Sequence, residues 1–165
     1  MTTLAELNSL PSDAVRALLL RCLSVPRWAD DVIAGRPYAA VPDLLAAARQ
    51  AAAHLDDAEL ESALGAHPRI GERPTGARHD AEHSRREQAG VDPADTAMAD
   101  QLAAGNAAYE RRFGRVFLVR AAGRTASELL AELDRRLGND EVSERAETVT
   151  ALGEIAVLRL EQAVS

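Results

Sequence analysis

Apolar residues recur at helical spacing along most of the chain, and capping and breaking residues cut that pattern into segments. Pro11-Ser12-Asp13 opens a helix that runs to about Leu23. Pro26-Arg27-Trp28 interrupts it, and a short helix follows as far as the turn Gly35-Arg36-Pro37. Val41-Pro42-Asp43 starts the next, with Leu44, Leu45, Ala48 and Ala52 on one side. Asp56-Asp57 starts another that ends near Gly65. The pattern then breaks: the stretch from Ala66 to Gly76 holds two prolines and two glycines and reads as a loop. Helical character resumes by Glu82 and lasts to Gly90, and Asp92-Pro93-Ala94-Asp95 starts a long helix through about Phe113. Val116-Phe117-Leu118-Val119 is short and apolar, either extended or one buried turn. Thr125-Ala126-Ser127-Glu128 has capping-box spacing and begins a helix to Leu137, which Gly138-Asn139-Asp140 stops. A last helix runs from about Glu141 to Ala163, with Ala146, Val149, Leu152, Ile155, Ala156 and Leu160 on its apolar side.

No internal repeat, low-complexity run or interdomain linker breaks this succession. The expectation is one all-α, compact multi-helix domain over residues 1–165, with a loop between helices as the place for chemistry. Composition agrees. Hydrophobic residues make up 47% of the chain, too many for a disordered segment. Alanine and leucine dominate them, while β-branched and aromatic residues are few, which favours helix over sheet.

Charge and residue counts then exclude several functions. A net charge of −7 is wrong for a general nucleic-acid binder, and one Trp, two Tyr and two Phe make a poor base-stacking platform. No apolar run reaches the about 18 residues of a spanning helix. The N-terminus lacks a basic region followed by an apolar one, and Ala163-Val164-Ser165 is not a peroxisomal address, so a cytoplasmic location is expected. Every one of the 19 basic residues is arginine. Without lysine no Schiff base forms, which removes pyridoxal-phosphate enzymes and imine-forming decarboxylases and aldolases. The single cysteine, Cys22, lies in an apolar run and reads as a small buried hydrophobe.

The polar stretch from His67 to Gln88 is the densest place for chemistry, and two readings of it stand side by side. His79-Asp80-Ala81-Glu82-His83 matches the inverted zinc-protease pattern, with two histidines one helical turn apart beside an acid. Three fixed positions in five arise often by chance, and no third ligand declares itself downstream, so a solvated, charged helix start is the plainer account of the pattern. The other reading centres on His67, at a helix end before a proline, where an imidazole facing a cleft could move protons near neutral pH. Glu87 on the following helix could orient it. A lone histidine before a proline is more often structural, and the pattern by itself leaves both roles open.

Five blocks, in order, carry a family resemblance. They are Cys22-Leu23-Ser24-Val25-Pro26-Arg27-Trp28 with Arg36-Pro37-Tyr38; Ala66-His67-Pro68-Arg69-Ile70-Gly71; and Ser84-Arg85-Arg86-Glu87-Gln88-Ala89-Gly90. The fourth joins Asn106, Tyr109 and Phe113-Gly114 to Phe117-Leu118-Val119-Arg120-Ala121 and Gly123-Arg124. The fifth is Glu154-Ile155-Ala156-Val157-Leu158-Arg159-Leu160. From about residue 22 to its end, the chain resembles the decarboxylases of OHCU (2-oxo-4-hydroxy-4-carboxy-5-ureidoimidazoline), with a His-Pro loop and a Ser-x-x-Glu-Gln-x-Gly stretch. Two departures, Val25-Pro26 and Arg115, fall outside the residues of interest.

The resemblance implies a helical, cofactor-free enzyme that decarboxylates OHCU to (S)-allantoin in urate breakdown, and a homodimer. It implies that His67 and Glu87 are the catalytic pair and that Arg159 holds an anionic or carbonyl oxygen of the substrate. Ser84 and Gln88 would hydrogen-bond the substrate, while Pro68 and the backbone of Phe117, Leu118 and Val119 would line the pocket. The expected partner is thus a small molecule, with no metal, nucleic acid or membrane. Two alternatives remain: a zinc hydrolase built on His79 and His83, and a non-enzymatic helical interaction module. The full set of His67, Glu87 and Arg159 counts against the last.

Overall fold

The computed structural model describes residues 1–71 and 96–164, and among them every regular element is a helix. The helices are α1 (Leu4–Ser9), α2 (Ser12–Cys22), α3 (Pro26–Ala34), α4 (Val41–Ala52), α5 (Asp57–Leu64), α6 (Thr96–Phe113), α7 (Ala126–Leu137) and α8 (Glu141–Ala163). The all-α expectation is met, and no described helix is long and apolar enough to cross a membrane. By contacts the chain divides into two compact units, Met1–Ala63 with Val149–Ser165, and Leu64–Thr148.

In the first unit α2 packs on α3 and α3 on α4. Trp28 is fully buried there, and its indole N–H donates to the Ala48 carbonyl at 2.9 Å, so the largest side chain of this core leaves no polar atom unsatisfied. Pro26 does not interrupt a helix but opens one. It occupies the first position of α3, where its missing N–H costs nothing. Asp56 caps α5 as expected: its carboxylate accepts from Glu59 N–H at 2.8 Å, and Glu59 returns the bond to Asp56 N–H at 3.0 Å.

Helix α1 has no counterpart in the sequence reading. Its six residues are too few to hold together on propensity. Thr3 and Glu6 close a capping box at one end. At the other, Arg36 donates to the carbonyls of Leu7 (2.8 Å) and Leu10 (2.9 Å) and to Ser12 Oγ (3.0 Å). Asn8 and the Tyr38 backbone exchange two hydrogen bonds of 2.9 Å, which ties the Arg36-Pro37-Tyr38 turn to the same helix.

The second unit has its core on α6 and α7, which pack against each other. They approach closely because residue 105 is glycine: a Cβ there would stand 2.4 Å from Leu133 Cδ2. The expected capping box at α7 is present, with Thr125 Oγ1 accepting from Glu128 N–H and Glu128 accepting from Thr125 N–H.

Both units carry arginine–glutamate pairs that respond to pH. The Arg27 guanidinium holds the Glu59 carboxyl below its ordinary value, Arg69 does the same to Glu110, and Arg135 to Glu147. A carboxyl depressed on folding contributes stability that is present above its unfolded value of about 4.3 and is lost as pH falls through the folded one. The melting temperature should therefore be flat just above about pH 5 and drop steeply toward about pH 3, as followed by helical circular dichroism. An unchanged melt across that range would show that these pairs do not contribute.

Candidate active site

Helix α5 ends at Leu64, and the His67 N–H donates to the Leu64 carbonyl at 3.0 Å in one final turn. Pro68 cannot continue the helix and restricts the residue before it, so His67 is left at the exit of the turn. His67 and Pro68 are both half-buried.

The rest of the loop is clamped to α6. Arg69 forms a two-pronged pair with Glu110, one bond of which is 2.9 Å. Ile70 enters the core, and its carbonyl accepts from Asn106 Nδ2 at 3.1 Å. Gly71 then turns away at φ 87°, a left-handed conformation that a side chain resists. A cavity of about 290 Å³ lies where this loop meets α6, walled by Arg69, Ile70, Asn106 and Glu110 over the small side chains of Ala99 and Ala103. Neither His67 nor Phe117–Val119 lines it.

The same face of α6 organises the second stretch of interest. Asn106, Tyr109, Glu110 and Phe113 follow one another at helical spacing, so the helix that holds the His67 loop also receives the segment after Gly114. Gly114, at φ 67°, closes α6 with its N–H on the Glu110 carbonyl at 2.8 Å. Residues 116–119 adopt no helix, strand or turn, which removes the buried-turn reading. Phe117 and Val119 point into the core, where the Tyr109 ring lies 4.8 Å from Phe113 and 5.2 Å from Phe117, centroid to centroid. With those side chains committed to packing, the segment has its backbone to offer.

Behind it lies a buried polar network that the sequence reading missed. Arg136 is 2% exposed and Glu144 not at all. The Arg136 Nε lies 2.8 Å from both Glu144 carboxylate oxygens, and its other nitrogens reach Thr148 Oγ1 at 3.2 Å and the Leu118 carbonyl at 3.3 Å. The guanidinium also stands 5.4 Å from the Phe117 ring centroid. Glu144 accepts in addition from the Tyr109 hydroxyl and from Asn139 Nδ2 at 2.9 Å. Burial and the bond to Glu144 push the Tyr109 hydroxyl up, so it remains a donor. Burial opposes the Arg136 charge, and the Glu144 carboxylate outweighs it, so the arginine stays cationic. The signal was present in the sequence: Arg136 continues the buried series Leu129 and Leu133 on α7, and Glu144 and Thr148 precede Leu152 and Ile155 on α8. Charges on two apolar faces call for each other.

Arg159 belongs to the first unit, on the later part of α8. It is 2% exposed, and its Nη1 donates to the Cys22 carbonyl at 3.2 Å, where Cys22 is itself buried. Such an arginine is held in place by the protein before any ligand arrives. The structure thus places His67, Pro68 and Phe117–Val119 in one unit and Arg159 in the other. Ser84, Glu87 and Gln88 lie outside the described residues, as do His79 and His83.

The sequence model of the OHCU decarboxylase family matches residues 8–161 of this chain. A 2-oxo-4-hydroxy-4-carboxy-5-ureidoimidazoline decarboxylase of Amia calva is 31% identical over 141 residues, 84% of this chain and 81% of the relative. A protein of the same name from Haloferax volcanii is 26% identical over 167 residues, 99% of this chain and 96% of the relative. Among solved structures, an OHCU decarboxylase crystallised in the presence of (S)-allantoin superposes with a TM-score of 0.70 at 22% identity, covering 87% of this chain and 94% of that one. An (S)-allantoin synthase does so at 0.73 and 18% identity, covering 99% of this chain and 54% of that one. At those identities the superpositions speak for the fold.

Proposed function

Because the chain belongs to the OHCU decarboxylase family, we propose that it converts OHCU to (S)-allantoin and carbon dioxide in urate catabolism. The observation that carries this reading is the family match over residues 8–161, which runs through the His-Pro loop and Arg159 alike.

The substrate's own structure makes a small catalytic set sufficient. The departing carboxylate sits on a carbon next to a ring C=N. As the carbon–carboxyl bond breaks, its electron pair forms a C=C bond, and the ring nitrogen takes the charge together with a proton that neutralises it. The product of that step is an enol. Its hydroxyl proton then leaves as the carbonyl forms, and a proton added to the neighbouring carbon fixes the handedness. In our reading His67 manages the hydroxyl proton and delivers the other, and Glu87 orients it. Arg159, already braced on the Cys22 carbonyl, holds a substrate oxygen through its planar donor fork. Ser84 and Gln88 add hydrogen bonds, and Pro68 and the backbone of residues 117–119 line the pocket. The finer reading is a cytoplasmic homodimer that needs no cofactor.

The test is a circular-dichroism time course on OHCU generated freshly from urate, with and without a chelator. The expected result is a build-up of the (S)-allantoin signal well above the spontaneous rate and indifferent to chelator. Racemic allantoin at the spontaneous rate would overturn the reaction, and loss of activity with chelator would overturn the cofactor-free mechanism.

A further inference from the structure

We propose that Arg136, braced by Glu144, is a positioning residue that sets the peptide plane between Leu118 and Val119 and so aims the Val119 N–H at the substrate. The inference rests on the decarboxylase reading above and adds residues that the reading does not contain.

Burying Arg136 and Glu144 carries a large desolvation cost, and an apolar set of similar volume often serves stability as well or better. Stability alone therefore gives a weak account of this pair. Its geometry gives a better one. Glu144 engages one edge of the guanidinium, Thr148 another nitrogen, and the remaining fork reaches the Leu118 carbonyl at 3.3 Å. The guanidinium is planar and rigid, so fixing two of its directions fixes the third.

In a trans peptide the C=O of one residue and the N–H of the next point in opposite directions. The bond between Leu118 and Val119 is trans, since Arg36-Pro37 is the cis bond among the described residues. With the Leu118 carbonyl drawn toward Arg136, the Val119 N–H faces the other way. No described residue accepts a hydrogen bond from it. The flanking side chains of Phe117 and Val119 are locked in the core, which keeps the plane from rotating. The result is a donor held in place in advance, on the segment whose backbone the reading assigns to the pocket. A donor preorganised in this way stabilises negative charge as it develops in the transition state, with no reorganisation at that moment.

Three proteins test it: wild type, Arg136→Lys, and the apolar triple variant Arg136→Met, Glu144→Leu, Tyr109→Phe. Lysine keeps the charge on Glu144 but offers no fork to span Glu144 and Leu118 together. The triple variant removes the buried Arg136–Glu144 pair and the hydroxyl that served it, and leaves Glu147, 3.7 Å from Arg136 Nε in the wild type, to its surface partner Arg135. The expected result is that both variants fold cooperatively while kcat falls about 10- to 100-fold and KM moves little, because a transition-state donor is lost. Turnover that recovers along with melting temperature in the triple variant would reduce the network to a structural one and overturn the proposal. A measurement on wild type alone covers the case in which neither variant folds: in the 15N-labelled protein, (S)-allantoin should move the Val119 amide proton downfield. An unmoved Val119 amide, with other resonances shifting, overturns the proposal. Wild type that produces no (S)-allantoin overturns the decarboxylase reading itself, and that outcome is seen before any variant is made.

Discussion

His67→Asn protein is expected to fold and melt as wild type does and to leave OHCU to decay at its spontaneous rate. Asparagine keeps a polar group of similar reach at the exit of α5, and the last turn is held by the His67 backbone N–H on the Leu64 carbonyl, which the substitution does not touch. What it removes is a group that can take and give a proton near neutral pH. General acid–base assistance is typically worth about 10²–10⁴-fold, and in the proposed mechanism the protonation that fixes the product's handedness passes through the same group. The time course should therefore lose both speed and optical activity: allantoin forms slowly and racemic. Wild-type turnover in this variant would remove His67 from the mechanism. Turnover that falls while the product remains pure (S)-allantoin would place the stereochemical proton on another group.

The largest expected effect on stability is at Glu144. Glu144→Leu takes from the buried Arg136 cation its hydrogen-bonded carboxylate, leaving it the more distant Glu147 at 3.7 Å, and strands the Tyr109 hydroxyl and one Asn139 donor as well. Breaking a buried pair in this way costs about 3–5 kcal/mol, against a total of about 5–15 kcal/mol for a protein of ordinary stability. For a chain of this size that is a fall of roughly 6–20 °C in melting temperature. Adding Arg136→Met and Tyr109→Phe removes the stranded charge and hydroxyl, and most of the lost stability should return. A Glu144→Leu protein that melts at the wild-type temperature would show that the pair has little energetic weight.

Much of this architecture was legible in the sequence, and the places where it was not share a cause. Asp56 and Thr125 announce α5 and α7 through side chains that cap their own helices three residues away, so the information is local. Pro68 ends a helix for reasons of its own ring. Helix α1 escaped although Thr3 and Glu6 have capping-box spacing, because six residues show no periodicity and the far end is held by Arg36, many positions downstream. The irregular course of residues 116–119 also stayed open in the sequence, since four apolar residues fit a buried turn as well as a strand-like segment. It is decided by where Phe117 and Val119 find a core to enter.

The candidate site divides in the same way. The histidine before the proline, the arginine near the end of the last helix and the blocks that carry the family resemblance are linear features, and the sequence determined them by itself. It determined the helical class too, because helix propensity, spacing and caps act within a few residues of one another. Only the tertiary structure decided which charges are buried and what they hold: Asn106 on the Ile70 carbonyl, Arg159 on Cys22, and Arg136 between Glu144 and Leu118. Those partners are set by how helices pack, and a buried charge chooses among whatever groups that packing brings within reach, which no window of sequence contains.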